Sequence, residues 1–412
     1  MDLRNLPDKL SSAERCSERR TRMQDALGVD LSALTVNPAT LGNAEEKNCE
    51  QMFGSIPLPV GYAGPLDVTF SSKEKAVIHL PLATTEGALV ASVNRGCKAV
   101  TASGGVRITS TNHGISRSIA LKMENGSLDG LGRKMENEGK VLLKNLRERS
   151  KEWVAVAEGT SDHLKIITFD FDASHPYIFL TLSCDTDEAM GMNMATIAAQ
   201  AVGEWIEKNI DGLTLVTVAG NVDSDKKPSK RTHDRGRGYE VIAEATLTPE
   251  VVAEILKTSP ATMAEVADAK LQHGSMIAGS IGANLHAANI IAALYLATGQ
   301  DAAHVVEGSL ADTEITIISA AESTPVVSVV EPCSPLHIRI RLPAILIGVR
   351  GGGTTLPAQA QCLEMLLKPD TALHPCRQLA ESIGAAVLAG EVSLLAAQAS
   401  HDLAKAHKNL GR

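Results

Sequence analysis

The chain predicts an α+β protein in which a small α/β unit is inserted into a larger domain. Three observations lead there. Its 412 residues exceed one ordinary core, since domains of roughly 100 to 200 residues are usual. Hydrophobic residues at 44% and charged residues at 21% lie in the globular range and exclude a disordered or low-complexity chain. Between residues 119 and 218 strand-like and helix-like runs alternate, and the texture differs from the segments on either side.

Taken in order, residues 1–49 read as an N-terminal helical arm: short polar helices with Arg and Glu runs and a stop at Gly28. The charged start lacks the apolar stretch of a signal peptide, so no export is expected. Residues 54–65, GSIPLPVGYAGP, impose an extended, turn-rich path before strands around 66–82. Thr84 and Thr85 offer caps for a helix whose stripe Leu89, Val93, Cys97 and Val100 has helical spacing, with Glu86 at its start. The inserted unit then reads as a charged helix over 130–153, strands over 164–171 and 177–183, a helix over 188–209 and a strand over 213–218.

A polar loop, NVDSDKKP at 221–228, follows it. Residues 276–299 carry no Asp, Glu, Lys or Arg and are long enough to span a bilayer. Asn284, His286 and Asn289 in the middle, with the Gly/Ala content, favour a helix buried within protein instead. Strands around 312–330 and 336–348, a glycine run at 351–353 and a long Ala/Leu helix over 377–408 complete the chain, with no internal repeat.

A formal charge of −9 and 3% aromatic residues argue against nucleic acid, which takes a basic surplus and rings for stacking. The seven cysteines, at 16, 49, 97, 184, 333, 362 and 376, form no CxxC pair. They fit reduced thiols in a cytoplasm and no zinc site. No GxGxxG joins a strand to a helix, so the standard dinucleotide fingerprint is missing, and the residues alone do not indicate a nicotinamide enzyme. What they offer is polar groups in apolar or small-residue surroundings: Glu86, Arg95, Lys226, Lys227, His286, Asn289, Asp301 and His407. Buried groups of this kind are either paired structurally or catalytic.

Five blocks stand in a fixed order: PLATTEG at 81–87 with NRGC at 94–97, EAMGMNM at 188–194, DKKP at 225–228, GQDAA at 299–303 and GVRGGGT at 348–354. Together they resemble the signature segments of 3-hydroxy-3-methylglutaryl-coenzyme A (HMG-CoA) reductases, from about residue 50 to the C-terminus. The wording of DKKP and GQDAA is closest to the branch with the animal and archaeal enzymes. The resemblance implies a large substrate domain (50–118 and 219–394) around a long central helix. It also implies a ferredoxin-like cofactor domain (119–218) inserted there and a mobile C-terminal helix (395–412). The implied reaction takes HMG-CoA to mevalonate and CoA by two hydride transfers, with NADPH placed ahead of NADH and no metal. A cytoplasmic homodimer with active sites between subunits is expected, dimer pairing into a tetramer being open. No membrane partner is implied.

Residue by residue, Lys226 matches the family's oxyanion lysine. A fixed cation suits the oxyanion that hydride attack builds on a thioester carbonyl. The alternative is a solvated lysine in a polar loop. Glu86 matches the proton donor, which must hold its proton through burial or a neighbouring carboxylate. Asp301 matches that neighbour, the alternative being an aspartate in the turn after Gly299. His407, in LAKAH at 403–407, matches the histidine that protonates the departing thiolate. By position alone it would be an exposed helix-end residue, and His401 is a nearby competitor.

Arg117 matches an arginine that holds the HMG carboxylate, a task for a bidentate guanidinium. Ser92, Asn94, Arg95, Asp225, Lys227, Lys270 and Asn289 fall at other substrate positions, several of them readable as plain helix surface. For the cofactor the resemblance implies Ser161, Asp162, Glu188, Met190, Gly191, Met192, Asn193, Gly351, Gly352 and Arg412. Residues 188–193 are read as opening a helix whose N–H groups suit a pyrophosphate. The sequence departs from the family with Glu188 for the usual Asp, Ala219 for a serine, and Asp162 where relatives carry a basic residue. Asp162 would repel a 2′-phosphate, whereas Arg412 would compensate. A phosphorylation switch at a C-terminal serine is not expected. Two rival readings are a CoA-ester-binding protein without redox chemistry and a membrane-associated protein built on 276–299.

Overall fold

The computed structural model describes residues 2–124, 133–318, 334–368 and 371–400. The first helix, α1 (Ser12–Leu27), opens with a capping box between Ser11 and Glu14 and ends at left-handed Gly28. Its Arg19 is buried and bonds Glu45 at 2.8 Å and the Met52 carbonyl at 3.0 Å, tying the arm to the chain that enters the sheet. β1 (Val60–Thr69) and β2 (Lys75–Ala83) pair antiparallel. α2 (Leu89–Ala102) follows, with Leu89, Val93, Cys97 and Val100 all buried as the spacing predicts. The expected threonine cap is absent. Position 88, an alanine at φ 72, precedes the helix without a side-chain cap, and Thr84 Oγ1 accepts the Glu86 N–H at 3.0 Å instead. Glu86 therefore sits in a loop ahead of the helix.

β3 (Val106–Met123) is the element on which the architecture turns. Its first half pairs with β7 (Gly238–Leu247) and its second half with two strands of a second unit, Tyr177–Asp185 and Leu213–Thr217. In the second unit α3 (Arg133–Glu148) and α4 (Ser150–Glu158) replace the single helix expected over 130–153. The break is at Arg149, whose guanidinium turns to Glu152 and the Asn209 carbonyl. β4 (Lys165–Ser174), β5 (Tyr177–Asp185), α5 (Met192–Asn209) and β6 (Leu213–Thr217) follow close to the expected places. The helices α3 and α4 join β3 to β4, and α5 joins β5 to β6, giving βαββαβ with antiparallel order β4-β5-β3-β6. That is the ferredoxin-like pattern. Trp153, Leu164, Leu180, Val202 and Ile206 are fully buried between its sheet and helices.

The larger sheet runs β2-β1-β3-β7-β9-β8, with β8 (Asp312–Ile317) and β9 (Leu336–Ile345) at its far edge. The apolar run 276–299 is not one helix. A short turn, Ser275–Ala278, ends at left-handed Gly279 with Met276 and Ile277 exposed, and α6 (Ala287–Thr298) alone is buried. The polar groups dictate the break: Asn284 bonds the Ser309 and Ala311 carbonyls, and the Leu285 and His286 N–H groups bond the Glu391 carboxylate. Glu391 belongs to α7 (Pro375–Ala399), which packs against α2, α6 and the larger sheet. Among the described residues α7 is the helix long and apolar enough to cross a membrane, and 94% of its apolar window is buried inside the protein. The expected continuation of this helix to 408 lies outside the described residues, as does much of the strand expected over 312–330.

Candidate active site

A cleft of about 770 Å³ opens where the two sheets meet. One wall is the start of α5 with Met190, Gly191, Met192 and Asn193, a second is the glycine run 351–353, and the floor carries Arg117, Asp225, Lys226 and Asp301. Two tightly packed glycines shape it. A Cβ on Gly191, left-handed at φ 90, would lie 2.2 Å from Thr186 Oγ1, and one on Gly348 would lie 2.4 Å from the Met190 nitrogen. Neither position admits a side chain. Contrary to expectation Glu188 does not open the helix, which starts at Met192. Its carboxylate pairs with Arg350, and its carbonyl accepts the Val349 and Arg350 N–H groups, so the two glycine-bearing segments are clasped together.

Lys226 Nζ lies 2.8 Å from Asp301 Oδ2. Asp301 also caps the short turn Ala302–His304 by accepting the Ala303 N–H at 3.0 Å. Partial burial pushes the Asp301 carboxyl up, but the Lys226 ammonium, the Ala303 N–H and His304 outweigh it and hold it below the usual aspartate range. The bond to Asp301 lifts Lys226 above the usual lysine range against the desolvation it suffers. The sequence reading set Asp301 beside Glu86; in the structure its ionic partner is Lys226, and Glu86 is bonded to Asn289.

Arg117, on β3, lines the same cleft with its guanidinium 3.6 Å from both Asp223 and Asp225. Burial pushes the Asp223 carboxyl up despite the neighbouring Arg237 and Arg117. Lys227 Nζ donates to the Asp225 carbonyl at 3.0 Å. Ser161 reaches the start of α5 through Met194 Sδ at 3.6 Å, and Gly351 and Gly352 line the cleft.

Other expected residues lie elsewhere. Glu86 is exposed, not buried, and its partner is Asn289 Nδ2 at 3.2 Å. Its carboxylate is not among the groups lining the cleft. Ser92 and Arg95 bond Ser393 at 3.0 Å each, joining α2 to α7, and Asn94 accepts the Gly64 N–H. Lys270 sits on the helical turn Asp268–Gly274, also outside the cleft lining. Asp162 faces a separate cavity of about 470 Å³ beside His163, Asp187 and His374. His286 is structurally paired, its Nε2 2.9 Å from the Gly390 carbonyl. His407 and Arg412 lie outside the described residues.

Sequence reasoning missed a buried ionic cluster under the floor. Arg237, 2% exposed, donates to Glu307 Oε1 at 2.8 Å, to Asp225 Oδ1 at 3.0 Å and to Ser116 Oγ at 3.0 Å. The only advance signal was a charged residue set between Val306 and Gly308. Donor atoms of Asp225, His304 and Glu307 come within 4.8 Å of one another, the spacing a metal ion needs. The Arg237 guanidinium already bonds two of those three carboxylate and imidazole groups, so a fixed cation takes that role.

The family model for hydroxymethylglutaryl-coenzyme A reductase matches residues 15–412. The chain belongs to the HMG-CoA reductase family. The HMG-CoA reductase of Methanocaldococcus jannaschii is 38% identical, over 98% of this chain and 95% of its own. That of Halobacterium salinarum is 37% identical over 100% and 96%. HMG-CoA reductase 1 of Dictyostelium discoideum is 34% identical over 99% of this chain and 70% of its own. Among solved structures, the class II HMG-CoA reductase of Streptococcus pneumoniae bound to NADPH superposes with a TM-score of 0.64 at 16% identity. It covers 92% of this chain and 96% of that one, so the two-domain fold of the reductases is shared. The family match begins at residue 15 rather than near 50, which places most of the N-terminal arm within the reductase family.

Proposed function

We propose that this HMG-CoA reductase converts HMG-CoA to mevalonate and CoA in two hydride transfers, with Lys226 as the oxyanion cation. The observation that carries the reading is the Lys226–Asp301 contact on the floor of a cleft walled by a helix start and glycine backbone. When bound, NADPH supplies the hydride, and the structure fits it: the N-terminus of α5, the tight Gly191 turn and the Gly351–Gly352 backbone form a cradle for phosphates without side chains in the way. Asp162 is the feature that would admit NADH and Arg412 would compensate for it; NADPH stays ahead, as the cofactor bound by the Streptococcus pneumoniae reductase of the same fold.

Lys226 holds a fixed positive charge where the thioester carbonyl oxygen gains electrons, and Asp301 keeps that charge aimed and neutral overall. Arg117 orients the HMG carboxylate, with Asp223 and Asp225 fixing its fork. In the first step C–H bond formation yields the oxyanion of a mevaldyl-CoA hemithioacetal, held by Lys226. Its collapse releases CoA thiolate, which His407 protonates, and a second C–H bond formation on mevaldehyde gives an alkoxide that takes its proton from Glu86. The exposure of Glu86 supports an active site completed by a second subunit. Ile56 and Leu58 ahead of β1, Val60 and Tyr62 on it, and Met276 and Ile277 are exposed apolar groups for a homodimer to bury. A cytoplasmic location accords with the free thiols of the described cysteines.

The test is loss of absorbance at the nicotinamide band when protein meets HMG-CoA, with NADPH and NADH in parallel. Two cofactors oxidised per CoA released is the expected result. Binding of HMG-CoA without oxidation of either would leave a CoA-ester-binding protein. Lys226→Ala should cut turnover by roughly 100- to 1000-fold while HMG-CoA still binds, the cost of removing one oxyanion donor.

A further inference from the structure

Glu307 and His304 are fully buried and neither lines the cleft, yet both reach its two central groups. A single Glu307 oxygen faces the Lys226 backbone N–H at 2.6 Å, Arg237 Nη1 at 2.8 Å and His304 Nδ1 at 3.3 Å. The other ring nitrogen, His304 Nε2, has no hydrogen-bond partner and points at Asp301 Oδ2 3.7 Å away. Glu307 Oε2 is likewise buried without a partner. Orphaned buried polar atoms are rare and costly, and well-packed apolar side chains would serve a purely packing role as well or better.

What the cluster does is local and directional. Lys226 holds φ at 57, a left-handed conformation uncommon for a residue with a Cβ, and Glu307 takes the N–H that this turn exposes. Asp301 Oδ1 is occupied by the Ala303 N–H, which leaves Oδ2 to face Lys226 on one side and His304 on the other. Both ring nitrogens of His304 thus face carboxylate oxygens, an arrangement in which the ring can donate to both when it carries two protons.

We propose that Glu307 and His304 are positioning residues for the reduction: Glu307 sets the Lys226 turn, and His304 backs Asp301 from the buried side. The inference rests on Lys226 and Asp301 being the reducing centre. Misplacement of a reacting group by about 1 Å costs on the order of 100-fold. The variants Glu307→Met and His304→Leu keep volume and remove the contacts. Each is expected to lower kcat by roughly tenfold or more with KM for HMG-CoA within about twofold, the signature of an interaction felt in the transition state. His304→Gln retains an amide that can donate to Asp301 and should recover kcat to within about threefold of the parent.

A double-mutant cycle separates positioning from general weakening of the fold. In a Lys226→Ala background Glu307→Met should cost no further kcat beyond about twofold, because its effect runs through the missing lysine. Full additivity, or unchanged kcat in the single variants, overturns the inference. Should the apolar variants not fold, Glu307→Asp withdraws the oxygen by one methylene and is expected to show the same kcat loss, an unchanged kcat again overturning it. If Lys226→Ala itself turns over normally, the reading of the reducing centre fails first and the positioning role goes with it.

Discussion

Lys226 and Asp301 set each other's charge, and the direction of each shift fixes where pH can act. A lysine held above its usual range contributes its stabilising contact fully below that range and loses it only as pH rises beyond. An aspartate held below its usual range contributes above that range and loses its contact only as pH falls through the lowered value. Between about pH 6 and 9 both groups stay charged, so neither should shape the rate there. The pH profile of kcat tests this against Lys226→Arg, whose side chain keeps its charge throughout. An alkaline limb within that interval that disappears in the arginine variant would show that Lys226 titrates there after all. The residues of this pair were legible because DKKP and GQDAA carry them in short, ordered words. Glu307 and Arg237 were not, since their contacts join residues 81 and 70 positions apart and exist only after the loop and the turn meet.

The long helix α7 read from sequence as an Ala/Leu rod, yet it carries two buried carboxylates with precise structural duties. Glu381 accepts from the Ser71 N–H, the Ser71 hydroxyl and the Ser110 hydroxyl. Glu391 accepts from the Leu285 and His286 N–H groups at 2.7 Å each and from the Thr313 hydroxyl at 2.8 Å. Replacing it leaves those donors unpaired in the interior, each such loss costing on the order of 1–3 kcal/mol. Glu391→Leu is therefore expected to destabilise the protein by roughly 3 kcal/mol or more, read as a lower urea midpoint with unchanged slope. A loss under about 0.5 kcal/mol, the range of ordinary surface changes, would show that water or relaxation satisfies the three donors.

The same helix explains why 276–299 was misjudged as one element. Periodicity within the segment says nothing of Glu391, which draws the Leu285 and His286 N–H groups out of a continuous helix. Likewise the threonines at 84 and 85 have cap chemistry, but the path from β2 to α2 passes through a left-handed alanine that no propensity announces.

On the scale of the molecule, two hydrophobic cores are threaded by one strand. Val106 and Ile108 on β3 lie in the larger core, whereas Ile115, Ile119 and Leu121 on the same strand lie in the smaller one. The strand alternation over 119–218 made the inserted unit legible, but not that its first strand begins inside the neighbouring sheet, because pairing partners are set by contacts far along the chain. Shared strands couple stability, so the two cores should unfold together. Both tryptophans, Trp153 and Trp205, belong to the smaller core or pack against it. Their fluorescence in urea is expected to share one midpoint with the far-ultraviolet circular dichroism of the whole chain. Separate midpoints would mean that the smaller core melts alone.

The shared strand also limits how this protein can be recombined with its relatives. A graft whose seam is drawn at residue 119 cuts β3 between Ser118 and Ile119, both fully buried, and asks two unrelated halves to continue one hydrogen-bonded ladder. A seam at Gly104 and Gly105, ahead of β3, leaves that strand whole, and the returning seam then belongs near Gly236, before β7. The transplantable cassette is thus longer than the ferredoxin-like unit it is meant to carry, and it brings with it the Lys226 loop.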